Sequence, residues 1–341
     1  MKILPIIEKP TITSFPSIST TFSILQTHEE TKGWIYSNFI QLIHFKNYIH
    51  DIGGYFLDIK SGIDGIHCYS LCPFFEYYIL NRDIVRNNWN SPVDFFKSMI
   101  DQNYFVTFWL NHADLFSWNI SLEDIEHCIN PTFIYGYDNN EEKIYTMDYY
   151  ENNIYQKKIF DFNIINKAAS WDNFMDQEGY EKIAIIRFRN NIHYGFNLPQ
   201  VIFSLEDYLN CIDSTQKLFY DNSLQYNYGI SYYDHLIEQI ENENLDIRMA
   251  HILLDHKILM VERVNYMRSI HLVSENYDSI KMKLEELCNK TRILQSKIIK
   301  KKLGSNTNNV SLSHLVQVVK ELKSLDEEWV LRFLKALKTN A

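Results

Sequence analysis

Apolar and polar positions along the chain change period near residue 198, and that change divides it. Before it, runs of β-branched and aromatic residues alternate with short turns. Tyr104 to Leu110, Ile129 to Tyr137, Lys143 to Met147 and Glu181 to Phe188 read as strands. Asp138-Asn139-Asn140 supplies the turn that folds the second and third runs into a hairpin. Helical spacing is predicted for Trp34 to His50, for 74–80, and for 92–101 behind Ser91-Pro92. After Asn197-Leu-Pro199 the period is helical almost throughout, over 232–241, 247–268, 280–302 and 312–337, with Ser204 to Asp207 as a capping-box-like start. The expected architecture is α+β. It has an extended Pro/Ser/Thr-rich arm over 1–24, a domain with a mixed or antiparallel sheet over 25–198, and an all-helical domain over 199–341.

Composition narrows the function classes. The 341 residues are 46% hydrophobic and 22% charged, enough to bury a sizeable core. A net charge of −10 argues against general nucleic-acid binding, leaving the lysines at 297, 300, 301 and 302 as a local exception. No run of eighteen apolar residues suggests a membrane span, and the start lacks the features of a signal peptide. Five scattered cysteines suit a reducing, cytoplasmic setting. His67, Cys68 and Cys72 lack further ligands at metal-binding spacing. His251, Asp255 and His256 share about one helical turn and read more simply as part of a salt-bridged helix than as a metal site. No glycine-rich phosphate loop or zinc helix occurs, so no cofactor and no metal are expected.

The chemistry-bearing region is the hairpin. Centred near residue 140, it pairs Asp148 with about residue 132 and brings the 127–130 region close. Cys128 neighbours His127, but adjacent strand residues point to opposite faces, which argues against that pair as nucleophile and base.

Two groups of motifs resemble the butirosin biosynthesis protein H family of bacterial nonribosomal peptide gene clusters. One is Tyr104 to Leu110 with Phe133 to Asp138 and Ile144 to Asp148. The other is Tyr228 to Leu236 with Asp246 to Arg248, Leu253 to Lys257 and Glu262-Arg263. The resemblance implies a papain-like, cysteine-peptidase-type fold and acyl transfer from a carrier-protein thioester to an amine. Such chemistry needs a thiol at a helix N-terminus, a His within reach of it, and an Asp that fixes the His tautomer. Asp148 suits the third role. The place of the thiol falls on Ser37, which reads more simply as a helix N-cap, with Tyr36 and Asn38 as alternatives for the aligned place. The place of the base falls on Asn130, which cannot take a proton near neutral pH. His127 lies three residues away, about 10 Å along an extended strand.

Two expectations follow. One is a cytoplasmic acyltransferase with Ser37 as nucleophile, His127 as base, Asp148 as orienter and Asn130 as an oxyanion donor. The other is an inactive binding or scaffold protein for an acyl or peptidyl carrier protein or a synthetase, with neither nucleic acid nor membrane as partner.

Overall fold

The computed structural model describes residues 1–45, 55–57, 69, 71–117, 128–150, 154–170, 182–213, 226–273, 277–302 and 311–340. The chain divides into two compact units, the first from residues 1–31 and 61–193, the second from 32–60 and 194–341. Residues 32–60 thus join the C-terminal part, which the single boundary near 198 did not anticipate. Among the described residues no helix is long and apolar enough to cross a membrane.

The first unit is built on a seven-stranded antiparallel sheet. Its strands are β1 (Lys2–Ile3), β4 (Phe75–Asn81), β5 (Phe105–Asn111), β6 (Ile129–Asp138), β7 (Lys143–Tyr149), β8 (Tyr155–Asp161) and β9 (Lys182–Phe188). The order is β4-β9-β5-β6-β7-β8, with β1 paired to β6. The hairpin forms as expected, with Phe133 opposite Met147 and a register shift between Ile134 and Gly136. One face of the sheet receives helix α1 (Pro16–Leu25), whose Ile18, Phe22, Ile24 and Leu25 are buried. Burying each of these is worth roughly 1.5–3 kcal/mol. The other face is covered by α3 (Arg82–Asn88), α4 (Pro92–Asp101), α5 (His112–Phe116) and α6 (Phe162–Ala168). Phe96 meets Phe108 edge-on at 5.1 Å, and the Arg82 guanidinium lies 4.5 Å from the same ring. Helix α4 begins as its sequence predicts, with Ser91 accepting from the Asp94 N–H and Pro92 in the first turn.

The second unit combines helices with a small antiparallel sheet. Helices α2 (Lys32–Ser37), α7 (Leu198–Asn210), α8 (Tyr232–Glu241), α9 (Ile247–Ser269), α10 (Asp278–Lys302) and α11 (Leu312–Asn340) accompany strands β2 (Leu42–Phe45), β3 (Tyr55–Leu57) and β10 (Tyr226–Tyr228) in the order β10-β2-β3. The C-terminal region is therefore helical but not wholly so, because β10 lies within it. At Gly229 the backbone adopts φ +62°, and a Cβ there would stand 2.0 Å from the Tyr208 carbonyl oxygen, so only glycine fits.

Four local expectations are corrected. The helix predicted over 34–50 stops at Ser37 and gives way to β2. Phe39 takes φ +59°, which a helix cannot continue through, and buried Arg263 donates to the carbonyls of Tyr36 at 2.8 Å, Phe39 at 3.3 Å and Asn38. Residues 74–80 lie mainly in strand β4, paired with β9, instead of forming a helix. The arm over 1–24 holds a strand and most of a buried helix. Helix α7 opens at Leu198 with Asn197 as its cap, six residues before Ser204.

Candidate functional site

The β6–β7 register places Thr132 across from Asp148. Thr132 Oγ1 donates to Asp148 Oδ2 at 2.6 Å, and His112 Nε2 lies 3.0 Å from the same oxygen. The other carboxylate oxygen accepts the Tyr149 N–H at 2.6 Å. His112 arrives from a third strand. Strand β5 ends at Asn111, whose side-chain oxygen accepts the Ala113 N–H at 2.9 Å and so caps α5, with His112 as its first residue. Pairing of Leu110 with Asn130 then brings Asn130 beside the imidazole, with Nδ2 3.4 Å from His112 Nδ1.

An ionised carboxylate only accepts, so Nε2 carries the imidazole proton and donates to Asp148. Nδ1 then holds the lone pair, toward which the Asn130 amide donates. The network is dry: His112 is 3% exposed and Asp148 1%. Tyr150 and Phe116 wall the ring at 5.2 and 6.1 Å between centroids, and Lys158 Nζ lies 4.8 Å from the Phe116 centroid. Burial holds the Tyr150 phenol well above its ordinary range. Asn130 is half-buried, which makes it the member of the network nearest solvent.

A carboxylate that holds an imidazole in one tautomer is the base-and-orienter half of an acyl-transfer site. The nitrogen that would take the nucleophile's proton is Nδ1. Asn130 occupies it, so proton abstraction there requires the amide to be displaced.

Of the four residues predicted for the site, Asn130 and Asp148 share this network. The Asn130 amide engages the imidazole, where the sequence suggested an oxyanion donor. His127 lies outside the described residues. Ser37 belongs to the other unit and closes α2 instead of opening it. Its buried hydroxyl donates to the Gly33 carbonyl at 2.7 Å and accepts the Asn197 N–H at 2.8 Å. A serine at a helix C-terminus, with its hydroxyl so engaged, lacks the helix-dipole activation a nucleophile needs. His112 escaped the sequence reading. Its signal was Asn111-His112-Ala113-Asp114 directly after a β-prone run, an N-cap pattern at the end of a strand adjacent to the hairpin.

A second buried carboxylate lies in the other unit. Asp326 Oδ2 receives Lys257 Nζ at 2.5 Å, Tyr208 OH at 2.6 Å and Tyr233 OH at 3.1 Å. His256 stacks on Tyr208 at 5.3 Å and donates Nε2–H to the Ile40 carbonyl at 2.7 Å. His251 and Asp255 approach each other at 3.7 Å as an i,i+4 pair, as in a salt-bridged helix. Burial and the Lys257 charge keep His256 neutral to well below its ordinary pKa.

No profile of a known protein family matches the chain, and a search of curated proteins finds no match.

Proposed function

We propose that this chain is a non-catalytic binding protein of natural-product assembly, one that recognises a carrier-bound acyl or peptide intermediate without turning it over. The partner class and the papain-like character of the first unit rest on the resemblance to the butirosin biosynthesis protein H family. An antiparallel sheet bearing a His–Asp pair supports that character. The observation that carries the inactive reading is the Asn130 amide on His112 Nδ1, at 3.4 Å. The engaged hydroxyl of Ser37 points the same way.

A second reading is acyl transfer with His112 as base. It is favoured by the 3.0 Å contact that orients the ring on Asp148. The two readings separate in one assay. The full chain is incubated with an aminoacyl-pantetheine thioester and a free amine, and amide formation is followed by chromatography. The binding reading expects no product above buffer, together with measurable affinity for a pantetheinylated carrier protein by calorimetry. Product formation that falls at least a hundredfold in His112→Ala and Asp148→Ala would establish catalysis instead.

A further inference from the structure

Asn130 is followed directly by Pro131. An asparagine side chain has two intramolecular routes to a cyclic imide. In the usual one the backbone nitrogen of the next residue attacks the side-chain carbonyl and ammonia leaves. Pro131 has no N–H, which closes that route. In the other, the side-chain amide nitrogen attacks the backbone carbonyl of its own residue, and the chain is cut. An amide nitrogen is a weak nucleophile and needs a base to take its proton.

The fold sets that base in place. Asn130 Nδ2 lies 3.4 Å from His112 Nδ1, and Nε2 of the same ring lies 3.0 Å from Asp148 Oδ2. The lone pair that Asn130 denies to an outside nucleophile thus faces the Asn130 amide itself. Asp148 orients the ring and stabilises the imidazolium that forms when Nδ1 takes a proton. The peptide bond in question sits at the start of β6. Trp109 pairs with Pro131 on the β5 side, while pairing with β7 begins only at Phe133. Asn130 and Pro131 are both half-buried, which gives water a way to the product.

We propose that the chain cuts itself between Asn130 and Pro131, with the Asn130 amide as nucleophile and His112 as base. Nδ2 gives one proton to His112 Nδ1 and bonds to the Asn130 backbone carbonyl carbon, closing a five-membered imide. The bond from that carbon to the Pro131 nitrogen breaks, and the imidazolium returns the proton to this nitrogen as it leaves. The cut consumes no water. One water then opens the imide, leaving Asn or its β-linked isomer at the new C-terminus. The reaction is intramolecular and does not depend on the partner class proposed above.

The test incubates the purified full chain near neutral pH and follows its intact mass under denaturing conditions, with hydroxylamine added to one portion. Two fragments are expected, 1–130 and 131–341, the second beginning at Pro131. The first should appear one water lighter than a free Asn terminus, and as the hydroxamate where hydroxylamine is present. His112→Gln is expected to slow the cut at least about a hundredfold. Asn130→Gln keeps an amide but requires a six-membered ring, and is expected to stop it. The parent held in urea loses the His112 contact and should cut at least about a hundredfold more slowly than the folded chain. An uncut folded chain, a first fragment that carries only a free Asn terminus and gives no hydroxamate, or a rate unchanged in urea or in either variant would each overturn the proposal.

Discussion

Each unit of this protein buries one aspartate that collects several donors on a single oxygen, yet the two clusters are built to different ends. Around Asp326 the donors are a lysine and two tyrosines, and Lys257, Tyr208, Tyr233 and Asp326 are all fully buried. Around Asp148 the donors are an imidazole and a threonine, and the imidazole's far nitrogen meets a half-buried amide. The first is a closed ion pair that holds helices together. The second is a hydrogen-bonded relay with one end near the surface. A buried carboxylate is thus no sign of chemistry in itself; what distinguishes a site is whether a titratable atom beyond the carboxylate has a way out.

The largest effect that would break this contrast lies in the helical unit. Lys257→Met removes the counter-charge of the buried Asp326 carboxyl, and should cost about 3–5 kcal/mol in urea unfolding of that unit. Adding Asp326→Leu should recover most of it; a single variant that unfolds like the parent would show that the pair is not the anchor. In the sheet unit Asp148→Asn should cost less, about 1–3 kcal/mol, because the group weakened is a hydrogen-bond acceptor and not half of an ion pair. Equal losses in the two units would erase the distinction.

Acid should act on the helical unit through His256. Its folded-state pKa lies well below the ordinary 6.5 because burial disfavours the cation. The stability it contributes is therefore full above about pH 6.5 and declines as pH falls through that value, by at most about 1.4 kcal/mol per pH unit. His256→Gln should flatten the dependence of denaturation midpoint on pH between 6.5 and 5.5; an unaltered slope would assign it to other groups. The smallest energetic effect should come from Asn130→Ala, under about 1 kcal/mol. It should nonetheless expose His112 Nδ1 to diethyl pyrocarbonate. Mass spectrometry should find His112 modified in the variant and unmodified in the parent, and equal modification of both would mean that Asn130 does not guard the ring.

Much of this was legible from residue pattern. The hairpin and the place of Asp148 followed from strand propensity and the Asp-Asn-Asn turn, both local properties. The long C-terminal helices followed from period alone. What failed were segments whose fate is tertiary. Phe39, Ile40, Leu42, Ile43 and Phe45 suit a helix face and a buried strand equally well, and Arg263, more than two hundred residues away, helps to end the helix early. The aromatic run at 75–80 became a strand because β9 pairs with it. His112 stands 36 residues before its carboxylate, and only the β5–β6 and β6–β7 pairings together unite them. Ser37 was placed by alignment with a helix start that the chain puts elsewhere.

The interleaved connectivity has a consequence for synthesis. Residues 32–60 leave the ribosome early but belong to a unit whose remaining members begin at 194. Strand β2 must therefore wait for β10, its neighbour in the small sheet, through nearly two hundred residues of translation. Any nascent or truncated chain that stops near 198 would display the apolar edge of β2 and the last turn of α2 without Arg263 to close it. No single cut yields both units intact, so a workable dissection must graft 32–60 onto the C-terminal part, or leave the polypeptide whole.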